Sequence, residues 1–435
     1  MNAADTVPGF LDDLRWRGLL HQTTAAEPLE THLTTPGRVA YCGFDPTRDS
    51  LTIGNLVPIV LLRRWQQAGH KPVILMGGGT GLIGDPSGKD SERTLLGRDE
   101  IRANVAGQRR IIERLIDLDA KRSHAASIVD NADWLAPLGF LDVLRDVGKH
   151  FSVNAMIQRD SVRERLHNRE QGISYTEFSY MLLQAYDFLH LKRTLDCSVQ
   201  MAGSDQYGNI VSGIDLIRRV LGHDAEAYGV TAPLLTRSDG KKIGKSEHGS
   251  LWLSADRTSP YAFFQHWLNS DDADVIAFLK WFTERSQPDI EALAMRHAAA
   301  PHMREAQREL ARELTRAIHG EAELAKAEAA SQALFSGAVR DLSPELLAEV
   351  FADVPHTQHA KQQLEGAGLA LLELLPQTSL ASSKREARQF LEAGAVLVNG
   401  ESAAVDLRLT QSHLLHGHTL LLKRGKKLWH ATRWE

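Results

Sequence analysis

The stretch YCGFDPTRDSLTIGN, Tyr41 to Asn55, decides the fold of this chain. The residues that lead into it, Arg38 to Phe44, are rich in β-branched and aromatic side chains and predict a strand, which Asp45-Pro46 ends. Apolar residues at helical spacing from Leu56 to Trp65 then predict a helix that begins near Gly54. A strand that turns into a helix N-terminus directs N–H groups and partial positive charge at one point, which suits phosphate. Many α/β folds contain this strand, turn and helix without a ligand, so the residue types at specific positions have to show whether a nucleotide binds here.

Strands alternating with helices continue outward from this stretch. An apolar strand at Lys71 to Met76 is followed by helices at Glu100 to Ile116 and Thr176 to Leu191, and by a strand at Val199 to Ala202. Such alternation, which extends to about residue 235, predicts an α/β fold with a mostly parallel, Rossmann-like sheet. Ligands of such sheets bind at the carboxyl ends of the strands, where the Gly, Asp and Gln turns of this chain fall.

The character of the sequence changes near Ser259-Pro260. Residues 259–343 are rich in Ala, Glu and Arg and predict an all-helical domain. Residues 344–367 lack a clear pattern, and we expect a linker with some helix there. Residues 368–435 combine a basic helix, a hairpin and a strand, which predicts a small α+β domain. Together with a catalytic domain at 1–258, these ranges make up the expected organisation.

Composition limits the class of protein. The chain has 435 residues, enough for two to four domains, and its 43% hydrophobic and 24% charged residues are typical of a soluble globular protein. No apolar run reaches the length of a membrane span and the N-terminus lacks the apolar core of a signal peptide, so we expect a cytoplasmic protein. Cys42 and Cys197 are too few for a disulfide framework or a metal cluster, and no carboxylate cluster suggests a built-in metal site.

The charge of the chain is unevenly distributed. The net charge is −5, but the residues from Leu374 to the end contain nine Lys or Arg and five Asp or Glu. This tail therefore carries +4 and the remainder −9. A basic module on an acidic body is typical of a protein with a polyanionic partner, although a solvated basic tail is the simpler alternative.

A lysine-rich loop lies between the parallel-sheet region and the helical region. It reads DGKKIGKS from Asp239 to Ser246, with Lys242 and Lys245 three residues apart and with Gly240 and Gly244 making the loop mobile. Two such lysines can fold over a polyphosphate as charge develops on it. A solvated surface loop remains the alternative.

One helix carries three polar residues on one face. Tyr180, Gln184 and Asp187 have the spacing i, i+4 and i+7, while most other positions of this helix are apolar. A helix that is apolar around most of its girth is expected to be buried, so this polar stripe predicts a pocket. The alternative is the water-facing side of an amphipathic helix.

A glycine pattern, Gly79-x-Gly81-x-x-Gly84, follows the strand that ends at Met76 and matches a dinucleotide fingerprint. The fingerprint should open a helix at once, whereas Asp85-Pro86 prolongs the loop. The pattern therefore predicts a glycine-lined floor that a ligand can approach closely. A dinucleotide-dependent dehydrogenase would rest on this feature alone.

The residue types at specific positions point to a family. Tyr41 to Thr47, followed by Thr52-Ile53-Gly54-Asn55, resembles the first signature of the class I aminoacyl-tRNA synthetases, most closely that of the bacterial tyrosyl-tRNA synthetases. The lysine-rich loop resembles their second signature, and the basic tail resembles the RNA-binding fold that they share with a small-subunit ribosomal protein. The family signature usually has histidine at both positions that Thr52 and Asn55 occupy here.

The resemblance implies roles for residues at matching positions. Tyrosine would be bound by Tyr41 and Asp187 at its phenol, by Asp85, Tyr180 and Gln184 at its α-ammonium, and by Gln206 at its carboxylate. ATP would be bound by Cys42, Gly43, Asp45, Gly54, Gly203, Asp205 and Lys245. The catalytic group, which mainly stabilises the departing pyrophosphate, would be Thr47, Thr52, Asn55, Lys89, Arg93, Lys242, Lys245 and Ser246. Phosphates of tRNA would be bound by Arg385, Arg388, Lys423, Arg424, Lys426 and Lys427.

The implied reaction is the activation of L-tyrosine by ATP and its transfer to the 3′ end of tRNA(Tyr). Magnesium would arrive with ATP, and the family forms homodimers. Two alternatives stay close to the family. One is a tryptophan-specific relative, against which Tyr41 and Asp187 argue as partners for a phenol. The other is a non-catalytic RNA-binding descendant, which the missing histidines favour and the retained Lys242 and Lys245 oppose.

Overall fold

A computed structural model describes residues 9–86, 95–159, 162–163, 166, 172–236, 245–246, 249–352, 354–425 and 428–435. The chain divides into two units. The first groups Met1–Ser259 with His266–Ile318, and the second groups Pro260–Gln265 with His319–Glu435. None of the described helices is long and apolar enough to cross a membrane.

Among the described residues, six strands form the sheet of the first unit: Gln22–Thr23 (β1), Val39–Phe44 (β2), Lys71–Met76 (β3), Ser127–Asp130 (β4), Cys197–Gly203 (β5) and Tyr228–Ala232 (β6). Their order is β1-β6-β5-β2-β3-β4. β2 to β6 pair in parallel, and β1 pairs antiparallel with β6. The predicted mostly parallel sheet is confirmed.

The strand order contains one reversal. The chain moves outward from β2 through β3 to β4 and returns to β5 on the other side of β2. A reversal of this kind leaves a crevice at the carboxyl ends of the two central strands. The turn that begins at Asp45 leaves β2 there, and the turn that begins at Ser204 leaves β5 there. Two turns that are about 160 residues apart in the chain thus meet at one place.

Helices pack against this sheet because its strands are apolar on both faces. All five residues of β6 and five of the six in β3 are buried, as expected for parallel strands that are covered on both sides. Helices Ile53–Gln67, Tyr175–Leu195 and Tyr207–Leu221 contact the strands. The last two helices approach closely, since a Cβ at Gly213 would lie 3.0 Å from the Phe188 ring. This close packing fixes the helix that carries Tyr180, Gln184 and Asp187.

The helical region follows the sheet, as predicted. Its helices are Pro260–Leu268, Val275–Phe282, Gln287–Ala299, Glu305–His319 and Glu321–Ser336. Further helices among the described residues before residue 160 are Phe10–Arg17, Ala26–Leu33, Arg98–Ile112, Ala132–Leu135, Phe140–Asp142 and Val153–Ile157. A short hairpin pairs Lys245–Ser246 (β7) with Gly249–Ser250 (β8).

The second unit contains a five-stranded sheet. The strands of this unit are His356–His359 (β9), Leu369–Ala370 (β10), Val396–Val398 (β11), Glu401–Ser402 (β12), Arg408–Leu409 (β13), Thr419–Arg424 (β14) and Leu428–Trp434 (β15). The sheet has the order β12-β11-β14-β15-β9, and β10 pairs separately with β13. Asn399 and Gly400 both have positive φ in the two-residue turn between β11 and β12, which is typical of a hairpin turn. The helices of this unit after residue 337 are Pro344–Val350, Leu371–Leu374 and Lys384–Glu392.

The expected linker, residues 344–367, differs from the structure in one respect. It contains the helix Pro344–Val350 and the strand β9, which pairs in parallel with β15 at the edge of the sheet. Leu347, Val350 and Phe351 are buried in a cluster with Leu421 and Trp429. These residues therefore belong to the packed structure of the second unit, because they supply part of its apolar core and one of its strands.

Candidate active site

A cavity of about 400 Å³ opens at the carboxyl ends of β2 and β5. Its position is the crevice that the strand order creates. Thirteen of the predicted site residues line it: Tyr41, Cys42, Gly43, Asp45, Gly54, Asn55, Asp85, Tyr180, Gln184, Asp187, Gly203, Asp205 and Gln206. They come from several separate segments of the chain, so the fold brings together what the sequence spreads over 160 residues.

Asp187 and Tyr41 lie at the buried end of the cavity, each 1% exposed. The Asp187 carboxylate accepts hydrogen bonds from Asn131 Nδ2 at 2.9 Å and Trp134 Nε1 at 2.8 Å. Burial raises the pKa of Asp187 to about 7, although both of these hydrogen bonds favour the ionised form. The Tyr41 hydroxyl has no hydrogen-bond partner among the described residues. Its pKa is well above the usual range, first because of burial and then because of the Asp187 charge.

Asp45 joins two parts of the cavity wall. Its carboxylate accepts a hydrogen bond from the Tyr180 hydroxyl at 2.9 Å and another from Thr80 Oγ1 at 2.9 Å. Burial, followed by the Asp45 charge, holds the pKa of Tyr180 well above its usual range, so its hydroxyl stays a donor. A Cβ at Gly77 would lie 2.4 Å from Asp45 Oδ1, so this approach requires glycine. The resemblance assigned Asp45 and Tyr180 to different ligands, and here they contact each other.

A chain of amides connects the turn after β5 to the helix face. Gln206 Nε2 donates to Asp85 Oδ2 at 2.6 Å, and Gln184 Nε2 donates to Gln206 Oε1 at 3.3 Å. Asn209 Nδ2 donates to the side-chain oxygens of Gln184 at 2.9 Å and of Gln206 at 3.0 Å. The network holds Asp85 beside the two glutamines, which are the residues expected around the amino and carboxyl groups of the amino acid.

The first signature ends in a helix N-cap. Thr52 precedes the helix Ile53–Gln67, and the Asn55 side-chain oxygen accepts from both the backbone N–H and the hydroxyl of Thr52, each at 2.9 Å. Asn55 and Gly54 line the cavity, whereas Thr47 and Thr52 lie outside its lining. The Thr47 N–H donates to the Asp45 carbonyl at 2.9 Å, which tightens the turn after β2.

The segment that follows the lysine-rich loop lies beside the end of the first signature, near Thr52. Ile53 N–H donates to the Leu251 carbonyl at 3.1 Å, and Leu253 N–H donates to the Leu51 carbonyl at 2.8 Å. This pairing follows β8 directly, so the hairpin that contains Lys245 and Ser246 reaches the same side of the sheet. The side chains of Lys245 and Ser246 lie outside the described part of the structure, as do Lys89, Arg93 and Lys242.

The backbone of the nucleotide side is lined with small residues. Gly43 and Gly203 line the cavity, and a Cβ at Gly203 would lie 2.7 Å from Asp205 Oδ1. Burial raises the pKa of the Cys42 thiol to about 12, so the thiol is protonated and can only be a weak donor. This part of the wall therefore offers a close approach to the backbone, with the Asp205 carboxylate beside it.

The comparisons with known proteins agree along the chain. A family model described as "tRNA synthetases class I (W and Y)" matches residues 35–336, and one described as "Tyrosine--tRNA ligase SYY-like C-terminal domain" matches residues 346–432. The tyrosine--tRNA ligase of Roseiflexus castenholzii is 48% identical over 425 residues, which cover 98% of this chain and 99% of that protein. The chain belongs to the tyrosine--tRNA ligase family.

Other relatives and solved structures fit this assignment. The tyrosine--tRNA ligase of Geobacillus stearothermophilus is 48% identical over 426 residues, 98% of this chain and 99% of that protein. The crystal structure of a C-terminally truncated mitochondrial tyrosyl-tRNA synthetase from Coccidioides posadasii has a TM-score of 0.65 and 32% identity, over 74% of this chain and 91% of that chain. A tryptophanyl-tRNA synthetase from Encephalitozoon cuniculi bound to tryptophan shares the fold, with a TM-score of 0.52 and 12% identity over 78% of this chain and 90% of that chain.

Membership of this family confirms the predicted enzyme class, an aminoacyl-tRNA synthetase. The comparisons do not support the non-catalytic alternative, since the relatives that match the chain over nearly its whole length are tyrosine--tRNA ligases.

The predicted RNA-contacting residues of this synthetase differ in exposure. Arg385 and Arg388 are exposed on the helix Lys384–Glu392. Lys423 is 3% exposed, with its ammonium 4.8 Å from the centre of the Trp429 ring, and burial lowers its pKa. The expectation that Lys423 contacts phosphate does not fit this burial, because a long side chain that is packed on an aromatic ring cannot reach a polyanion at the surface.

Arg424 is also engaged within the second unit. Its guanidinium donates to the Leu380 carbonyl and lies 4.5 Å from the centre of the Phe390 ring. Arg424 thus supports the basic helix rather than extending into solvent. Lys426 and Lys427 lie outside the described residues.

Sequence reasoning missed three residues of the synthetase site. Asn131 and Trp134 hold the Asp187 carboxylate, and Thr80 donates to Asp45 and accepts from Asn131 Nδ2 at 3.0 Å. A signal was available, since Asn131 directly follows β4, at the sheet edge where ligands bind. The sequence alone does not show that β4 lies close enough for its turn to reach the helix Tyr175–Leu195.

Proposed function

We propose that the cavity of the first unit binds L-tyrosine and ATP, forms tyrosyl-adenylate with release of pyrophosphate, and then passes the tyrosyl group to the 3′ end of tRNA(Tyr). The observation that carries the proposal is the buried pair Tyr41 and Asp187. Asp187 supplies an acceptor held by two donors, and Tyr41 supplies a hydroxyl without a partner among the described residues. A phenol hydroxyl can both donate and accept, so it satisfies both groups.

The same pair explains the choice of tyrosine over phenylalanine. Phenylalanine lacks the hydroxyl, so it would give Tyr41 no hydrogen-bond partner and would make no hydrogen bond to Asp187. Each unsatisfied buried polar group costs about 1–3 kcal/mol, and more where the group is charged. The discrimination therefore comes from hydrogen bonds that tyrosine makes to these two groups and phenylalanine cannot make, and it needs no editing domain.

The polar network above the phenol pocket suits the amino acid's own charges. Asp85 is the carboxylate proposed to hold the α-ammonium, with Tyr180 and Gln184 beside it, and charge-assisted hydrogen bonds of this kind are the stronger ones. Gln206 would contact the carboxylate of tyrosine. The support for these roles is the amide chain that connects Asp85, Gln206 and Gln184.

The activation step needs positioning and charge stabilisation more than proton transfer. The carboxylate of tyrosine is already ionised; its oxygen attacks the α-phosphorus in line, a new P–O bond forms, and the bond to the β-phosphate breaks to release pyrophosphate. Residues proposed to bind the nucleoside are Cys42, Gly43, Asp45, Gly54, Asn55, Gly203 and Asp205. Residues proposed to stabilise the pyrophosphate are Thr47, Lys89, Arg93, Lys242, Lys245 and Ser246, with Mg²⁺ carried by ATP. The role of Thr52 is taken up below.

The transfer step requires a second surface. The ribose hydroxyl at the 3′ end of tRNA would attack the carbonyl carbon of the adenylate, and AMP would leave. We propose that Arg385 and Arg388 bind tRNA phosphates, with Lys426 and Lys427 as further candidates, and that Lys423 and Arg424 stabilise the surface from within. Such contacts give an affinity that falls as salt rises.

The division into a catalytic, a helical and a C-terminal tRNA-binding domain is part of this proposal, with the start of the last domain moved to about residue 344.

We also propose that the synthetase works as a homodimer in the cytoplasm. Phe140, Leu141, Val153 and Tyr175 are between 57% and 77% exposed, and they lie in the segment from β4 to the first residue of the helix Tyr175–Leu195. The concentration of exposed apolar residues in this segment supports an interaction surface here. Cys42 and Cys197 are both buried and free, which suits a reducing compartment.

The dimer is tested by a charge in this segment. Leu141→Glu should shift the sedimentation coefficient at micromolar concentration to that of a monomer. Met295→Glu is the matched control, because Met295 is 69% exposed but lies in a different part of the chain. A Leu141→Glu variant that sediments like the unchanged protein would contradict the proposed surface.

The proposed reaction is tested by exchange of labelled pyrophosphate into ATP, with tyrosine, phenylalanine and tryptophan compared side by side. We expect exchange with tyrosine alone. Asp187→Asn should abolish most of it, whereas Asp196→Asn, the same change at the exposed end of the same helix, should not. Exchange that is equal with phenylalanine, or that persists in Asp187→Asn, would contradict the role assigned to the phenol pocket.

A further inference from the structure

The side-chain amide of Asn55 is held in one orientation. Its Oδ1 lies 2.9 Å from the backbone nitrogen of Thr52 and 2.9 Å from the Thr52 hydroxyl. A backbone N–H can only donate, so the atom facing it has to be the amide oxygen. The Thr52 hydroxyl then faces an acceptor as well and donates its own proton to it. The two contacts together determine which end of the amide is oxygen and which is nitrogen.

The remaining end of the amide is the Nδ2 group. Asn55 lines the cavity and Thr52 does not, and Nδ2 has no hydrogen-bond partner among the described residues. An NH₂ group can only donate, so it is suited to the oxygens of a nucleotide. The opposite orientation would present an oxygen to those oxygens and repel them.

The position of Thr52 is fixed by the chain on both sides. Ile53 N–H donates to the Leu251 carbonyl, Leu253 N–H donates to the Leu51 carbonyl, and Thr52 itself forms a bridge with Trp252. A β-branched side chain such as threonine also has few χ1 rotamers. The hydroxyl is therefore held where it meets Asn55, and its proton is not available to a phosphate in this arrangement.

We propose that Thr52 is a positioning residue, which sets the orientation of the Asn55 amide so that Nδ2 donates to an oxygen of ATP. The inference rests on the proposed binding of ATP in this cavity. It replaces the expected direct contact between Thr52 and the pyrophosphate. It also accounts for the two departures from the family signature together, since an asparagine needs an external group to choose between its two amide orientations and a neighbouring threonine provides one.

The test is a double-mutant cycle in the full-length protein, with pyrophosphate exchange measured against ATP concentration at saturating tyrosine. Thr52→Val keeps the shape and removes the hydroxyl, and Thr52→Ser keeps the hydroxyl. We expect Thr52→Val to lower kcat/KM for ATP about three- to tenfold, since the loss of one of two hydrogen bonds weakens the hold on the amide. Thr52→Ser should stay within about twofold of the unchanged protein.

Asn55→Ala decides between positioning and direct contact. If Thr52 acts through Asn55, Thr52→Val should have no further effect on kcat/KM for ATP in the Asn55→Ala background. An equal loss in both backgrounds would mean that the Thr52 hydroxyl touches the nucleotide itself and would overturn the proposal, as would a Thr52→Val variant with unchanged kcat/KM. Matching melting temperatures of the variants exclude a folding defect. If the unchanged protein shows no exchange, the proposed function has failed rather than this inference.

Discussion

The Asp187 carboxylate gives tyrosine activation a pH dependence. Its pKa is about 7 because burial outweighs the hydrogen bonds from Asn131 and Trp134. Above pH 7 the carboxylate is ionised and accepts the phenol proton in a charge-assisted bond; below pH 7 it is protonated and its hydrogen bond to the phenol is weaker. We therefore expect kcat/KM for tyrosine, measured by pyrophosphate exchange, to fall as the pH decreases below 7, by at most about tenfold per pH unit, until it reaches the lower value of the protonated enzyme.

Two controls separate this effect from others. The profile of kcat/KM for ATP at saturating tyrosine should lack the step at pH 7, because kcat/KM reports ionisations of the enzyme form that binds the varied substrate. The residual activity of Asp187→Asn should also lack it. A step that persists in the variant would assign the titration to another group.

At Tyr41, binding of tyrosine and stability of the ligand-free protein make opposite demands on the side chain. Its buried hydroxyl has no partner among the described residues, so Tyr41→Phe should stabilise the ligand-free protein, by up to about 1–3 kcal/mol. The same change should lower kcat/KM for tyrosine and reduce the preference for tyrosine over phenylalanine, each by about five- to 100-fold.

The measurements are thermal denaturation without ligand and exchange with both amino acids. Tyr228→Phe provides the control, since Tyr228 lies on β6 outside the cavity lining and should leave the preference unchanged. A destabilised Tyr41→Phe protein would mean that the hydroxyl has a partner in solution.

Part of this site follows from local sequence and part does not. Tyr180, Gln184 and Asp187 share one helix face, so their spacing alone predicts that they meet the same pocket. Asn131 and Trp134 reach Asp187 from a turn more than 50 residues earlier in the chain. That contact depends on the order of the strands, and a single sequence contains no local signal for strand order.

At the scale of elements, one helix holds the turn that follows β2. Asn104 Nδ2 donates to the Pro46 carbonyl at 2.9 Å, and Gln108 Nε2 donates to the Arg48 carbonyl at 3.0 Å. Both residues belong to the helix Arg98–Ile112. A Cβ at Gly107 would lie 2.0 Å from the Asp49 carbonyl oxygen, so the helix and the turn are in direct backbone contact.

Gly107→Ala should therefore impair ATP use without touching ATP. A backbone atom cannot rotate away from the new methyl group, so the turn that carries Asp45 and Thr47 must move. We expect KM for ATP to rise at least fivefold and the protein to lose about 1–3 kcal/mol of stability. Gly97→Ala, at the start of the same helix, meets nothing within 4 Å and should change neither quantity by much. Equal behaviour of the two variants would contradict the role of this helix.

Element boundaries show where sequence patterns fail. The parallel strands and the long helices have strong apolar patterns, and the structure contains them. β9 reads His-Thr-Gln-His and has two exposed and two half-buried residues, since it lies at the edge of its sheet. An edge strand of this kind lacks apolar alternation, and so the segment around it resembled a linker.

At the scale of the whole molecule, the second unit contains a buried histidine that the first unit's chemistry does not use. His430 is 2% exposed, its Nδ1 accepts from the Ser379 N–H at 3.1 Å, and its Nε2 lies 3.1 Å from Thr357 Oγ1. This arrangement requires the neutral ring with its proton on Nε2. Burial, with further contributions from His359 and His356, lowers the pKa of His430 to about 4.

The lowered pKa makes the second unit sensitive to acid. In the unfolded chain a histidine binds a proton near pH 6.5, whereas folded His430 does so only near pH 4. The contribution of His430 to stability is thus complete above pH 6.5 and is lost as the pH falls from 6.5 to 4, because the unfolded state then binds more protons. Between pH 7 and pH 5 the two pKa values correspond to a roughly 20-fold shift toward unfolding.

Hydrogen exchange of the full-length protein can detect this shift in one unit at a time. Amide protection factors in β14 and β15 should fall by about 20-fold between pH 7 and pH 5 if these strands open by unfolding of the second unit. His70 of the first unit is also buried, and burial lowers its pKa to about 4 as well, so strands β2 and β5 should also lose protection. The control is therefore the His430→Gln variant, in which β14 and β15 should lose the part of the pH dependence that His430 contributes. A fall in β14 and β15 that is unchanged in His430→Gln would show that acid acts on this unit through other groups.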